Sequence, residues 1–237
     1  KIPGVKILSY LNSQNNLMVF YSNAGRKEEA KELMAELERG LKDPKLDDTL
    51  SRATFAQNLG QEFRQMKERD KALKYYKDAI YYYDRIYGTG NELSGDIYLA
   101  MSYVCIDANQ LEKANDYIQL ATQSFTPALT KGDANAILII CNIVGICDAV
   151  KTPSVGQTLI DQAIELLKLN NITDEEAKEQ VFITKALNAA NLDDIKVSSD
   201  YFNKYLDLKY LQVEDRFRYM SENEKLAFMD KMEQNVK

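Results

Sequence analysis

Apolar residues recur through this chain at spacings of three and four, the period of one face of an α-helix. Phe55, Leu59 and Phe63 mark one such face, and Ala72, Tyr75, Tyr76, Ala79 and Tyr83 mark the next. Two helices joined by a turn follow, and the pair returns along the chain. In steps of 42 residues a small position reads Ala30, Ala72, Ala114, Gly156 and Ser198. Four residues further on stand Met34, Tyr76, Ile118, Ile160 and Phe202, each preceded by an apolar or aromatic neighbour: Leu33, Tyr75, Tyr117, Leu159, Tyr201. Upstream, Tyr21, Phe63, Cys105, Cys147 and Ala189 form another rung, and Met18, Gly60, Ser102, Val144 and Ala186 a further one. Five units therefore repeat without an insertion, the signature of stacked supersecondary units that bury their apolar faces against each other.

The small residues have a packing role. Gly60 costs a helix about 1 kcal/mol relative to alanine, so it belongs where the two helices of a unit come close, with Phe63 and Tyr76 filling the adjoining holes. The segments between units, such as "YGTGNELSGD" and "FTPALTKGD", carry the Gly, Pro and Asp of loops and caps. Thr173 with Glu176 reads as a capping box opening the fifth unit. Asp47 and Asp48, and Asp193 and Asp194, stand where helix starts need acceptors for free backbone N–H groups.

From Ala56 through Leu59, Gly60, Phe63, Ala72 and Tyr76 to Ala79, the pattern A-x2-L-G-x2-F-x8-A-x3-Y-x2-A resembles the tetratricopeptide repeat, with Ala56 where that family usually has Trp. The next unit keeps it through Met101, Ser102, Cys105, Ala114 and Ile118, whereas the first, fourth and fifth are degenerate and Lys185 breaks an apolar rung. The period exceeds the common value of about 34 and is similar to the long-loop variant of kinesin light chains and many bacterial proteins. The resemblance implies an all-α, right-handed superhelix (α-solenoid) of five helix pairs over 1–210, with units at 5–46, 47–88, 89–130, 131–172 and 173–210. A capping or connector helix is expected at 211–237. There Ser221 and Glu224 spell a second capping box, and Leu226, Phe228, Met229 and Met232 an apolar side. Arrays need such a solvating end. The run "DRFRYMSENEKLAFMDKM" also resembles the connector after the repeats of bacterial proteins that carry a caspase-like CHAT protease domain. That resemblance implies a regulatory part of a larger enzyme whose catalytic domain lies outside this chain.

Composition narrows the function. With 237 residues, 45% of them apolar and 4 prolines, the chain can bury a sizeable core. A net charge of −6 opposes a nucleic-acid surface, which needs clustered cations. The longest apolar runs, such as "AILII" at 136–140, are far shorter than the ~20 residues that span a bilayer. Lys1 in place of methionine points to a truncated amino terminus, so the compartment stays open. The absence of histidine removes Ser-His-Asp triads, His-based zinc sites and imidazole acid–base chemistry. Cys105, Cys141 and Cys147 form no C-x-x-C pair and read as packing residues with free thiols. The "GTG" at 88–90 lacks the Lys and Ser/Thr of a phosphate loop, and the tyrosine run "YYKDAIYYYDRIY" lacks the basic interleaving of a base-stacking surface. No catalytic residue, cofactor or metal is expected.

What remains is a groove. In the family resembled, the first helix of each pair lines a concave surface on the side away from the second. By the register above, that side carries Asn12, Asn15 and Val19, then Gln57, Gln61 and Arg64, then Leu99, Tyr103 and Ile106, then Leu138 and Cys141, and finally Ile183 and Leu187. The amino-terminal half offers amides and the carboxy-terminal half an apolar patch. The clamp for a partner's terminal carboxylate is missing, since Asn15, Val19, Gln57 and Gln61 hold the matching positions. The expected partner is a protein or peptide. The apolar patch, which includes the helix "NAILIICNIVGIC", should be covered by the terminal helix, by that partner or by a second copy of the chain. A peptide sensor built on helical repeats is the remaining alternative.

Overall fold

The computed structural model describes residues 3–131, 134–169 and 174–226. Among the described residues there is no strand, and ten long helices follow one another: α1 (Pro3–Asn23), α2 (Lys27–Leu41), α3 (Thr49–Gln65), α4 (Arg69–Tyr87), α5 (Glu92–Asp107), α6 (Leu111–Lys131), α7 (Ala134–Ala149), α8 (Pro153–Leu169), α9 (Glu175–Asn191) and α10 (Ile195–Tyr219). Odd-numbered helices are the first of each pair and even-numbered ones the second.

The repeat is written into the backbone. Gly25, Lys67, Asn109, Lys151 and Asp193, each 42 residues from the next, all take positive φ. At each of them the next residue's N–H reaches back to the Phe63 rung: Arg26 to Tyr21, Glu68 to Phe63, Gln110 to Cys105, Thr152 to Cys147 and Asp194 to Ala189, at 2.8–2.9 Å. A second bond runs from the positive-φ residue itself, as from Lys67 N–H to Arg64 C=O. This pair of bonds satisfies the orphan carbonyls at the end of each first helix.

The starts of α3, α5, α9 and α10 are capped by acidic or amide side chains. Asp48 accepts from Ser51 N–H at 2.6 Å, Asn91 from Ser94 N–H at 2.9 Å and Asp194 from Val197 N–H at 3.1 Å. At α9 the cap is Asp174, which accepts from Ala177 N–H at 2.7 Å. The capping box expected there falls partly outside the described residues, at Thr173. The box at Ser221 and Glu224 forms, with Ser221 N–H donating to Glu224 Oε2 at 2.8 Å at the head of a helical turn over 222–226.

The chain divides into two compact units, one of residues 1–136 with 146–152 and the other of 137–145 with 153–237. In the first, α3 packs on α4 and α5 on α6. The face predicted for α4 is buried at Ala72, Tyr75, Tyr76, Ala79 and Tyr83, against Phe55, Ala56, Leu59 and Phe63 of α3. A Cβ at Gly60 would lie 2.6 Å from Tyr76 Cδ1, so the glycine is what lets the ring in. Arg52 pins the loop before α3, donating to the carbonyls of Leu46 at 2.7 Å, Leu41 at 2.5 Å and Asp43 at 3.0 Å.

In the second unit, Ile160, Ala163, Val181 and Ala186 are buried. Lys185, which breaks the apolar rung, is buried too, its side chain 6% exposed, and its Nζ reaches Asp161 Oδ1 at 2.7 Å. Helix α10 runs to Tyr219, so the boundary expected near 210 falls inside a helix. The Phe202 rung changes character here. Met34, Tyr76, Ile118 and Ile160 are at most 3% exposed, whereas Phe202 is 45% exposed, and Leu206, Tyr210 and Leu211 of α10 are exposed as well.

Candidate partner-binding groove

Two glutamines one turn apart on α3 are held by tyrosines of α4. Tyr83 Oη donates to Gln57 Oε1 at 2.8 Å and Tyr76 Oη to Gln61 Oε1 at 3.0 Å. Burial pushes the Tyr76 hydroxyl up to about 12, so it stays a protonated donor. Among the described residues neither glutamine's amide nitrogen makes a hydrogen bond. Each side chain is therefore fixed through its oxygen and keeps two free donors. This corrects the expectation that Gln57 and Gln61 lie away from the second helix. Tyrosines carried on α4 are long enough to reach them.

Arg64 lies one turn further along α3. Its guanidinium carbon stands 5.2 Å from the ring centre of Tyr103 on α5, and Nη1 reaches Gln61 Oε1 at 3.4 Å. Tyr103 is 39% exposed, while Leu99 and Ile106 are half-buried.

On α1 the expectation holds less well. Asn12 is exposed and Val19 half-buried, but Asn15 is buried, and its Oδ1 accepts from Asn58 Nδ2 at 2.9 Å. It joins two first helices and is not open to a ligand. Nearby, Ser22 Oγ donates to Glu62 Oε2 at 2.5 Å. Glu62 is only 4% exposed, and burial raises its carboxyl above the usual range.

The second unit corrects the apolar patch. Helix α7 is apolar nearly all round, and Ile137, Ile140, Ile143 and Val144 are fully buried. Cys141 is buried, Leu138 and Ile183 are half-buried, and only Leu187, at 58%, is exposed. The broad exposed apolar surface of this unit lies on α10. The terminal residues Phe228, Met229 and Met232, expected to cover the patch, lie outside the described residues.

The three cysteines are free and buried, and burial pushes the Cys141 and Cys147 thiols up to about 11, which suppresses the reactive thiolate. Among the described residues no helix is long and apolar enough to cross a membrane.

Helix hairpins of constant period, closed by identical turns and packed through small residues, define an all-α helical repeat. No family model and no curated protein matches the chain. Solved structures do. BtubC (BKLC) from P. vanneervenii superposes with a TM-score of 0.70 at 14% identity, over 89% of this chain and 84% of that one. A chain from P. anserina with nearly identical TPR-like repeats of the kinesin light chain kind gives 0.68 at 12% identity, over 86% and 97%. YrrB, described as a TPR protein with an unusual peptide-binding site, gives 0.50 at 15% identity, over 82% and 84%. The chain has the fold of tetratricopeptide-repeat proteins.

Proposed function

We propose that the chain is a non-catalytic scaffold that binds a protein or peptide segment along its first helices. One observation carries the reading: Gln57 and Gln61, oriented by Tyr83 and Tyr76, hold four unused amide hydrogens one helical turn apart. Such donors match the carbonyls of an extended backbone, and because the tyrosines fix them beforehand, little side-chain entropy is lost on binding. Asn12, Arg64, Leu99, Tyr103 and Ile106 complete the contact surface, all of them in the first unit. Buried cysteines with raised pKa and a sequence without histidine supply no evident nucleophile–base pair, in keeping with a binding role.

Selection from a library of random peptides tests this. Glutamate at 57 and 61 keeps the oxygen that each tyrosine needs and deletes the amide donors. Peptides enriched on the natural chain should lose affinity for the Gln57→Glu, Gln61→Glu variant, including those without acidic residues, whose loss charge repulsion does not explain. Undiminished binding would overturn the reading.

A further inference from the structure

The end of α3, the turn after it and the last turn of α5 enclose a pocket of about 270 Å³ lined by Arg64, Lys67, Arg69, Val104, Asp107 and Ala108. Three cations and one carboxylate thus meet in a chain of net charge −6. The cations are largely unspent. Arg64 touches an amide oxygen, the Tyr76 hydroxyl and an aromatic ring, none of which neutralises it. Lys67 makes no ion pair or hydrogen bond through its side chain among the described residues. Arg69 meets exposed Asp70 at 3.2 Å, a contact that water screens. Helix α4 starts beside them without a side-chain cap, so its first N–H groups add to the positive potential.

Lys67 also holds a backbone conformation, φ +61°, that favours other residues. Of the four equivalent turns, three carry Gly25, Asn109 and Asp193, which take it more readily, and the fourth carries Lys151. The lysine ammonium is thus brought to the pocket at a conformational cost.

We propose that this pocket takes a glutamate side chain of the partner. Arg64, Lys67 and Arg69 hold the carboxylate, and Val104 and Ala108 pack against its methylenes. Asp107 cancels part of the positive charge and so favours a single negative charge over a doubly charged phosphate. Calling the ligand a partner's side chain rests on the scaffold reading, but the pocket's own preference does not.

The test is a backbone-amide NMR titration of the full chain with hexaglutamate, and in parallel with inorganic phosphate. Hexaglutamate should shift the amides of Lys67, Arg69 and Val104. Lys67→Gly removes the charge while easing the left-handed turn, so the variant should unfold no earlier than the natural chain yet bind about tenfold more weakly, the size of one charge-assisted contact. Arg69→Gln should weaken binding in the same direction. Equal affinity in Lys67→Gly, no shift at these amides, or a tighter response to phosphate would each overturn the assignment. Hexaglutamate binding that persists in a Gln57→Glu variant, which leaves Gln61 and its contact with Arg64 intact, supports the pocket even where the groove reading fails.

Discussion

The ring of Tyr76 fills the space that a side chain at Gly60 would need, with Cδ1 2.6 Å from the position of a Cβ. Gly145 in α7 meets nothing within 4 Å of the same built atom. One chemical change should therefore have opposite effects at the two sites. Gly60→Ala should destabilise by roughly 1–3 kcal/mol through overpacking, while Gly145→Ala should stabilise by up to about 1 kcal/mol through helix propensity. Denaturant midpoints of the two variants check this, and a stabilised Gly60→Ala would refute the close approach of α3 and α4.

The Lys185–Asp161 pair predicts an asymmetry. Asp161→Ala strands a buried ammonium and should cost roughly 1–3 kcal/mol, less than a fully buried pair because Asp161 is 54% exposed. Lys185→Met restores the apolar rung and should be neutral or stabilising. Thermal unfolding of both variants decides, and equal losses would mean that the ion pair itself is net stabilising.

Glu62 predicts a pH dependence. Its folded pKa is raised by burial, so the folded state holds the proton more tightly than the unfolded state does. Above the folded pKa the buried charge reduces stability. As pH falls through that value the penalty is relieved, and below the unfolded pKa of about 4.5 it is gone. Glu62→Gln keeps an oxygen for the Ser22 hydroxyl and should raise the unfolding temperature at pH 7–8, with the gain shrinking toward pH 4. A gain independent of pH would refute the assignment.

The exposed side of α10 predicts an effect of truncation. From the cap at Ser221, Phe228 and Met232 follow at the offsets that separate Phe55 and Leu59 from Asp48. By sequence alone this is the spacing of a first helix, and its apolar side is the expected cover for Phe202 and Leu206. Deleting 221–237 should then raise binding of a hydrophobic dye and promote self-association. Dye binding equal to that of the full chain would refute this cover.

Much of the fold was legible in the sequence because the repeat constrains residues of every size at once. Ala72 and Tyr76 are informative as a pair, and a glycine beside them announces close helices. The groove was less legible. Gln57 and Gln61 could be placed on α3 by periodicity, but whether tyrosines 26 and 15 residues further on could reach them depends on side-chain length and helix separation. Asn15 looked available for the same reason, since its partner Asn58 lies in another unit of the repeat. Lys67 and Arg69 were missed because they occupy the turn and the first residue of α4, where the helical period does not yet operate. The signal was present all the same: the 42-residue step runs through Lys67 as it does through Phe63. The α10 face was misjudged because the rung that buries Met34 to Ile160 was assumed to be covered in the fifth unit also.

The five identical turns have a consequence for how this chain can change in length. Each closes entirely within its own hairpin, through bonds from positions 25, 67, 109, 151 and 193 and the residues after them. A cut at one turn rejoined at another restores the same local geometry, so the array can be lengthened or shortened in whole modules by recombination between equivalent turns. A single residue added inside a helix has no such refuge, because it rotates the rest of that helix by about 100°. Length in this protein is quantised, and the unit of exchange is the hairpin.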